Sequence, residues 1–411
     1  MENGEDMNSQ VNNFLEIMKY ALNGNTTTEL PELSEPVDWD ELTQIAMKHN
    51  LFAIFHEVAC QYPEYQRNPE YWTRTKAVMG SVARQIRRTV SFLKLYQEFL
   101  DEGIQPIVMK GIVCRQLYGK YAEHRPSGDE DILVKKDDFY QVKDFLVKRG
   151  YFCQDKEITE AQLNQAEHVS FQKKNETTIE VHINLMGRRD DLRIQMGEQF
   201  SRVFEKSQQL DIQGVSLTVM SHTEHFLYIV MHAFKHFIGS GVGLRQILDI
   251  MMYQEHYEKE IDWNDVTKAL QDCKVDSYLG DIQYIGEMYL GFHFEHHYPT
   301  ACPETLLEDM IEVGAFGKSD RADSIATNII SSTIDQNTRG IGTLLRAGFP
   351  TRKQMAEWTP YLNEKPWMLP VEWVKRWIRF FRRTKKYDGN LMKESFKRSQ
   401  KRMELLRKYG L

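Results

Sequence analysis

The sequence predicts an α+β fold, with a small mixed β-sheet flanked by N-terminal and C-terminal helical regions. Residues 1–103 space their apolar side chains at the three- and four-residue intervals of amphipathic helices. Residues 104–220 instead contain short apolar runs separated by turn residues, which is typical of strands. The helical spacing returns from residue 221 onward.

The N-terminal region, residues 1–103, reads as helical throughout. The stretch "VNNFLEIMKYALNG" predicts a helix that stops at a glycine. The stretch "DWDELTQIAMKHNLFAIFHEVAC" is interpreted as one helix that begins with acidic capping residues. The stretch "WTRTKAVMGSVARQIRRTVSFLKLYQEFLDEG" predicts a long amphipathic helix that ends at Gly103.

Residues 104–220 are expected to form the α/β core. Strands are predicted in "IQPIVMKG", "EDILVKK", "YFCQ", "HVSFQKKN" and "TTIEVHINLMG", and "LDIQGVSLTVMS" is taken as one further strand. The stretch "IVCRQLYGKY" could be a helix, and "DDFYQVKDFLVKRG" predicts a capped helix that ends at a glycine.

Residues 221–365 are predicted to form a C-terminal helical region, and residues 366–411 a basic, aromatic helical tail. Helices are expected in "SHTEHFLYIVMHAFKHF", "GLRQILDIMMYQEHY", "DWNDVTKALQDC" and "DSYLGDIQYIGEMYLGF". Residues 316–365 are richer in Gly, Ser, Thr and Pro and receive no assignment.

The composition is that of an ordinary globular protein. Of 411 residues, 41% are hydrophobic and 27% are charged, and no stretch of about 18 uncharged apolar residues predicts a membrane span. The N-terminus is acidic and polar, unlike a secretory signal. The five cysteines are scattered without CxxC spacing, which favours reduced thiols and a cytoplasmic location.

Charge is distributed unevenly along the chain. Residues 371–411 contain 14 Lys or Arg and 4 Asp or Glu, whereas residues 1–370 contain 38 and 55. In the tail, "WVKRWIRFFRRTKKY" predicts a helix with Trp373, Trp377, Phe380 and Phe381 on one side. Such a helix could bind an anionic membrane surface or partner, contact RNA, or pack its aromatics on the acidic body. The acidic body argues against a broad nucleic-acid surface.

Three carboxylates stand directly before an apolar run in "RPSGDEDILVKK". Strand alternation puts Asp129 and Asp131 on one face, about 7 Å apart, with Glu130 on the other. Two such carboxylates can share Mg²⁺, which prefers oxygen ligands and substrate phosphates. In "TTIEVHINL", alternation places Glu180 and His182 on one face, so Glu180 is the candidate third acid. The alternative is a solvated acidic turn.

Basic residues precede this acidic stretch. Lys110 and Gly111 lie between a predicted strand and a predicted helix, where backbone N–H groups can bind a phosphate and Lys110 can add a charge. Arg125 could bind a phosphate through two hydrogen bonds or could neutralise the carboxylates. His182 could position the base or a phosphate, or be a polar residue on an exposed strand face.

The stretch "MKGIVCRQLYGKYAEHRPSGDEDILV" resembles the uncharacterised nucleotidyltransferase family of the DNA polymerase β-like nucleotidyltransferase superfamily. The family reads Lys-Gly, a helix, a Tyr, then Arg-x-x-Gly-Asp-x-Asp, which matches Lys110-Gly111 and residues 125–131. The sequences "IEVHINL", "HTEHFLYIVMHAFKHF" and "GLRQILDI" are similar to later family motifs. Glu180 stands where the family usually has Asp, and Lys110-Gly111 where the superfamily usually has Gly-Ser.

The resemblance implies a nucleotidyltransferase core and Mg²⁺-dependent nucleotidyl transfer, with Mn²⁺ as a possible substitute. Two metal ions would bridge the nucleoside triphosphate and the metal ligands Asp129 and Asp131, while Glu180 would complete a metal site or act as general base. Nucleotide-binding residues would be Lys110, Gly111, Arg125, Gly128 and His182.

The first helix of the C-terminal region carries His225, His232 and His236 on one face. They could bind a metal, but core or interface histidines fit the pattern better. Within the functional interpretation, Lys235, His236 or Arg245 reaches the nucleotide from these helices. Asp249 could simply pair with Arg245, four residues earlier.

Two main functional hypotheses follow from the sequence. The first is a nucleotidyltransferase whose acceptor is a hydroxyl of an unknown small molecule, sugar or protein. The second is a non-catalytic protein of the same fold that binds a nucleotide or a partner. A nucleic-acid-modifying transferase guided by the basic tail is a third, weaker hypothesis.

Overall fold

The computed structural model describes residues 8–23, 29–153, 158–188, 191–239, 241–314, 349, 351–352, 355–356, 359–384 and 402–410. The chain divides into two compact units, Met1–Lys235 with Val242–Ala315 and His236–Gly241 with Phe316–Leu411.

A single mixed β-sheet organises the described part of the first unit. Its strands are β1 (Ile107–Met109), β2 (Asp129–Leu133), β3 (Phe152–Cys153), β4 (His168–Gln172), β5 (Thr178–His182), β6 (Gln208–Ile212) and β7 (Val215–Val219). Their order across the sheet is β3-β4-β5-β2-β1-β7-β6. Pairing is parallel between β2 and β5 and between β1 and β7, and antiparallel elsewhere. The fold is α+β, as the sequence predicts.

Helices surround this sheet. Those before β2 are α1 (Ser9–Asn23), α2 (Trp39–Lys48), α3 (Phe52–Ala59), α4 (Pro63–Gln66), α5 (Tyr71–Asp101) and α6 (Gly111–Gln116). Those between later strands are α7 (Phe139–Lys148), α8 (Glu160–Gln165) and α9 (Asp191–Glu198). Those after the sheet are α10 (His222–Gly239), α11 (Leu244–Tyr257), α12 (Trp263–Asp272), α13 (Asp276–Leu290) and α14 (Pro303–Val313). Short 3₁₀ helices cover Gly119–His124 and Lys136–Asp138.

One face of the sheet packs on α5 and α7 to form a hydrophobic core. Phe99 of α5 and Phe145 of α7 stack with ring centroids 4.0 Å apart. Ile132 of β2 and Val181 of β5 are buried in the same cluster. Because strand side chains alternate, the residues next to them in β2 and β5 face the other way. The opposite face is therefore free to carry polar side chains.

Two sequence assignments were wrong in the same way, because each joined two elements across a tight turn. Residues 38–60 form α2 and α3 rather than one helix, since Asn50 adopts a left-handed conformation (φ 57°) that ends α2. The stretch 210–221 is not one strand, because Gln213 (φ 54°) and Gly214 (φ 82°) turn the chain between β6 and β7. The helices α4, α8, α9 and α14 were not predicted.

In the second unit, the helix Leu369–Thr384, here called the tail helix, packs its first turns on neighbouring residues. Trp373 contacts the buried cluster of Met355, Ala356 and Leu362. The Phe349 ring lies 5.3 Å from that of Trp373 and 6.1 Å from that of Trp377. These contacts place the two tryptophans on one side, as the sequence suggests. The side chains of Phe380 and Phe381, residues 385–401 and most of residues 316–365 lie outside the described residues.

Candidate active site

The parallel pairing of β2 and β5 brings two of the predicted acids together. Asp131 is directly paired with Glu180, so both side chains project from the same face of the sheet. Asp129, two residues earlier in β2, shares that face, whereas Glu130 and Ile132 point to the other side. The structure thus places Glu180 beside Asp131, although 48 residues lie between them in the chain.

His182 joins these carboxylates. Its Nε2 atom lies 2.8 Å from Asp131 Oδ1 and 4.0 Å from Glu180 Oε2. One ligand atom from each of Asp131, Glu180 and His182 lies within 4.8 Å of the other two. Asp129 is not part of that group, but no described side chain forms an ion pair with it. Two carboxylates and an imidazole could hold a divalent metal ion.

The acids in this group repel one another. Burial, together with the charges of Asp131 and Asp129, raises the pKa of Glu180 to about 8. Burial and the charge of Asp131 also raise the pKa of Asp129. Burial alone would raise the pKa of Asp131, but Lys110 and His182 lower it below the usual value. The site therefore has more carboxylates than the surrounding cations stabilise.

Lys110 is the cation closest to these acids in the described chain. Its Nζ atom lies 3.3 Å from Asp131 Oδ2 and 3.1 Å from His232 Nε2, over the ring of Tyr228. Burial would lower the pKa of Lys110, but Asp131 raises it above the ordinary value, so the ammonium group stays charged. The side chain is 18% exposed, so a ligand entering the site can reach it.

The backbone at Lys110 is unusual for a residue with a side chain. Its φ of 43° and ψ of −122° are strained, and its N–H group donates to Nε2 of the buried His225. The N–H of Ile112 donates to Glu130 Oε2. Because these two donors already have protein acceptors, the structure does not show them turned toward a phosphate.

The packing around position 111 requires a glycine, which the sequence alone does not reveal. A Cβ atom at this position would lie 2.1 Å from Glu130 Oε2, and the backbone φ is +23°. Glu130 is fully buried on the core face, where Arg115 Nη2 donates to its Oε1 at 2.7 Å. Gly111 thus allows the chain to approach the buried Glu130–Arg115 ion pair. Gly128, by contrast, is exposed, with open space around a Cβ.

Arg125 is committed to a buried ion pair. Its Nε donates to Asp249 Oδ1 at 2.7 Å and its Nη2 to Oδ2 at 2.5 Å, and the hydroxyl of Tyr118 donates to the same carboxylate. Asp249 thus forms its ion pair with Arg125 rather than with Arg245. Arg125 links the segment before β2 to α11, and phosphate binding by Arg125 stays a prediction that this geometry does not favour.

The three residues of α10 and α11 that were predicted to reach the nucleotide differ from one another in their surroundings. Lys235 forms an ion pair with Glu167 Oε1. Arg245 donates to the carbonyl of Pro126, and the charge of Asp129 acts on its guanidinium. His236 is half-buried and belongs to the second unit. A contact of any of these residues with a nucleotide stays a prediction.

Sequence reasoning missed Glu167 and His168, which precede and begin β4. His168 is paired with His182 across the antiparallel β4–β5 ladder, and its Nε2 lies 3.5 Å from Glu180 Oε1. One ligand atom from each of Glu167, His168 and His182 lies within 4.8 Å of the others. The signal was present in the alternation of "HVSF", which puts His168 and Ser170 on one face.

Comparison with known families gives one match. A family model described as an uncharacterised nucleotidyltransferase matches residues 35–288. The chain belongs to this family. The match covers more than half of the chain and includes Lys110, Asp129, Asp131 and Glu180, and it supports nucleotidyl transfer as the general activity. No match was found among curated proteins or among solved structures.

In the described parts of the chain, every helix is too short or too polar to cross a bilayer.

Proposed function

We propose that this family member is a Mg²⁺-dependent nucleotidyltransferase. It would move a nucleoside monophosphate group from a nucleoside triphosphate to a hydroxyl of a small molecule, sugar or protein. The observation that carries the proposal is the parallel register of β2 and β5, which aligns Asp131 with Glu180 and adds His182 at 2.8 Å. This arrangement brings residues from distant parts of the chain into one polar cluster on the face of the sheet opposite the hydrophobic core.

The donor set fits a divalent metal ion. Burial and the neighbouring aspartates raise the pKa of Glu180 to about 8, which indicates that the site lacks positive charge. Asp129, Asp131 and Glu180 offer the oxygen ligands that Mg²⁺ prefers, and His182 is also acceptable to Mn²⁺. When bound, the metal would stabilise charge on the phosphates and lower the pKa of the attacking hydroxyl.

Protein groups would perform the rest of the reaction. The acceptor oxygen forms a bond to the α-phosphorus while the bond from that phosphorus to pyrophosphate breaks. Glu180 would either complete the metal site or act as the general base that receives the proton of the acceptor hydroxyl, and its position beside Asp131 suits both roles. Lys110 would turn its partly exposed ammonium group toward the departing phosphates.

The test is pyrophosphate release from each of the four labelled nucleoside triphosphates, with Mg²⁺ and a cell extract as the source of acceptors. We expect Asp131→Asn and Glu180→Gln to lower the rate by about 100-fold or more, since each removes a charge at the reacting centre. Asp137→Asn, an exposed acid just beyond β2, is the matched control. Release that is equal in the wild type, Asp131→Asn and Asp137→Asn would contradict the proposal.

A second candidate function has its own observation. Lys110 and His182 already contact both oxygens of Asp131, and Lys110 and Ile112 have their N–H groups bound to protein acceptors. Such a site suits a protein that binds a nucleotide or partner without turnover. Calorimetry with each triphosphate separates the two functions: binding that is unchanged in Glu180→Gln, without pyrophosphate release, would favour the non-catalytic protein.

A further inference from the structure

We propose that Glu167, His168 and His182 form a second metal site beside the carboxylate cluster. This site would take a transition metal such as Zn²⁺, Mn²⁺ or Co²⁺ in preference to Mg²⁺. It lies at the start of β4 and the end of β5, and it shares only His182 with the group that contains Asp131 and Glu180.

The sheet fixes the positions of the three residues. His168 and His182 are directly paired in the antiparallel β4–β5 ladder, and their ring centroids lie 5.1 Å apart. Glu167 directly precedes His168, and one ligand atom from each of the three residues lies within 4.8 Å of the others. Metal ligands in proteins must converge in this way before an ion can bind them together.

Each of these two imidazoles has one ring nitrogen with an acidic neighbour and one without a partner among the described residues. The Nε2 atom of each ring faces the first cluster, at 2.8 Å from Asp131 for His182 and at 3.5 Å from Glu180 for His168. The Nδ1 atoms of both rings are buried and have no hydrogen-bond partner within the described residues. His182 is only 1% exposed, so its unpartnered nitrogen is costly unless something binds it.

Glu167 supplies the negative charge of the proposed site. Lys235 binds its Oε1 atom, which leaves Oε2 as the oxygen for a metal ion. Lys235 is at the same time a competing cation, so its removal should make the site more attractive to a metal ion.

The donors decide which metal the site prefers. Two imidazole nitrogens with one carboxylate suit borderline transition metals, whereas Mg²⁺ prefers a set of oxygen ligands. A cavity of about 290 Å³ borders the proposed site, since His168, Gln162, Ser170 and Gln172 are among the residues that line it.

The experiment is titration of the metal-free, full-length protein with Co²⁺ in excess Mg²⁺, measured by visible absorption and equilibrium dialysis. We expect the wild type to retain Co²⁺. Glu167→Gln and His168→Asn should each weaken Co²⁺ binding by about tenfold or more. Glu160→Gln and His293→Asn, both at exposed positions, are the matched controls. Lys235→Met should tighten Co²⁺ binding, and circular dichroism shows whether each variant is folded.

Two results would overturn this site. One is that no Co²⁺ remains bound to the wild type in excess Mg²⁺. The other is that folded Glu167→Gln and His168→Asn bind Co²⁺ as tightly as the controls do. The assay uses no nucleotide, so failure of the proposed transferase activity would leave this result unaffected, and failure here would leave the Mg²⁺ reaction untouched.

Discussion

Gly111→Ala should destabilise the protein much more than an ordinary glycine substitution does. The new Cβ would lie 2.1 Å from Glu130 Oε2 and 3.0 Å from its Cδ, far inside van der Waals contact. Glu130 cannot yield freely, because Arg115 Nη2 and the N–H of Ile112 hold its two oxygens at 2.7 and 2.8 Å in a fully buried site. If the carboxylate moves, the buried ion pair breaks.

The size of the effect follows from that broken pair. Disrupting one partner of a buried ion pair costs about 3–5 kcal/mol, and the left-handed backbone of Gly111 adds about 1 kcal/mol for a residue with a Cβ. We expect the free energy of unfolding to fall by about 4–6 kcal/mol, measured by urea denaturation followed by circular dichroism.

Two controls test whether the contact with Glu130 causes this loss of stability. Gly128→Ala, which has open space around its Cβ, should change the free energy of unfolding by less than about 1 kcal/mol. In a Glu130→Ala background, where the clash is removed, the additional cost of Gly111→Ala should shrink to about 1 kcal/mol. Equal costs in the two backgrounds, or a Gly111→Ala variant as stable as Gly128→Ala, would refute the argument.

Three further predictions concern other buried or strained residues. Burial lowers the pKa of His49 to about 4, below its ordinary 6.5, so the free energy of unfolding should fall by about 2 kcal/mol between pH 7 and pH 5; denaturation of His49→Gln should show that much less pH dependence, and equal slopes would contradict it. Arg125→Met and Asp249→Asn should each cost about 3–5 kcal/mol, and the double variant less than their sum; additive costs in a double-mutant cycle would deny the coupling. Lys274→Gly should raise the free energy of unfolding by about 0.5–1 kcal/mol, since Lys274 ends α12 with a φ of 56°; a lower urea midpoint would count against this.

The fold class was predictable from the sequence because its periodicities are strong. The helix at Tyr71–Asp101 and the strands that carry Asp131 and Glu180 follow from apolar spacing alone. The missed breaks at Asn50 and at Gln213 depend on left-handed residues that are not glycine, and the sequence gives only a weak signal for these.

The site was predictable only in part. Alternation correctly places Glu180 and His182 on one face, but a single sequence does not reveal that β4 would pair next to β5 and bring His168 into the group. The partner of Arg125 was equally hidden, because Asp249 lies 124 positions later and the only cue was a nearby Arg245 on the same helix. Long-range partner choice depends on tertiary packing, which local patterns do not encode.

The buried Glu130–Arg115 pair has a consequence for how this protein can diversify. The pair anchors β2 from the core face of the sheet, at the residue between Asp129 and Asp131. It therefore supports the strand independently of the side chains on the opposite face. Substitutions at the partly buried Asp129 and Glu180 should therefore alter ion binding without displacing β2, whereas Asp131 is itself buried between Lys110 and His182. The core face of the strand tolerates much less change, because even one added methyl group at Gly111 would disrupt the Glu130–Arg115 pair.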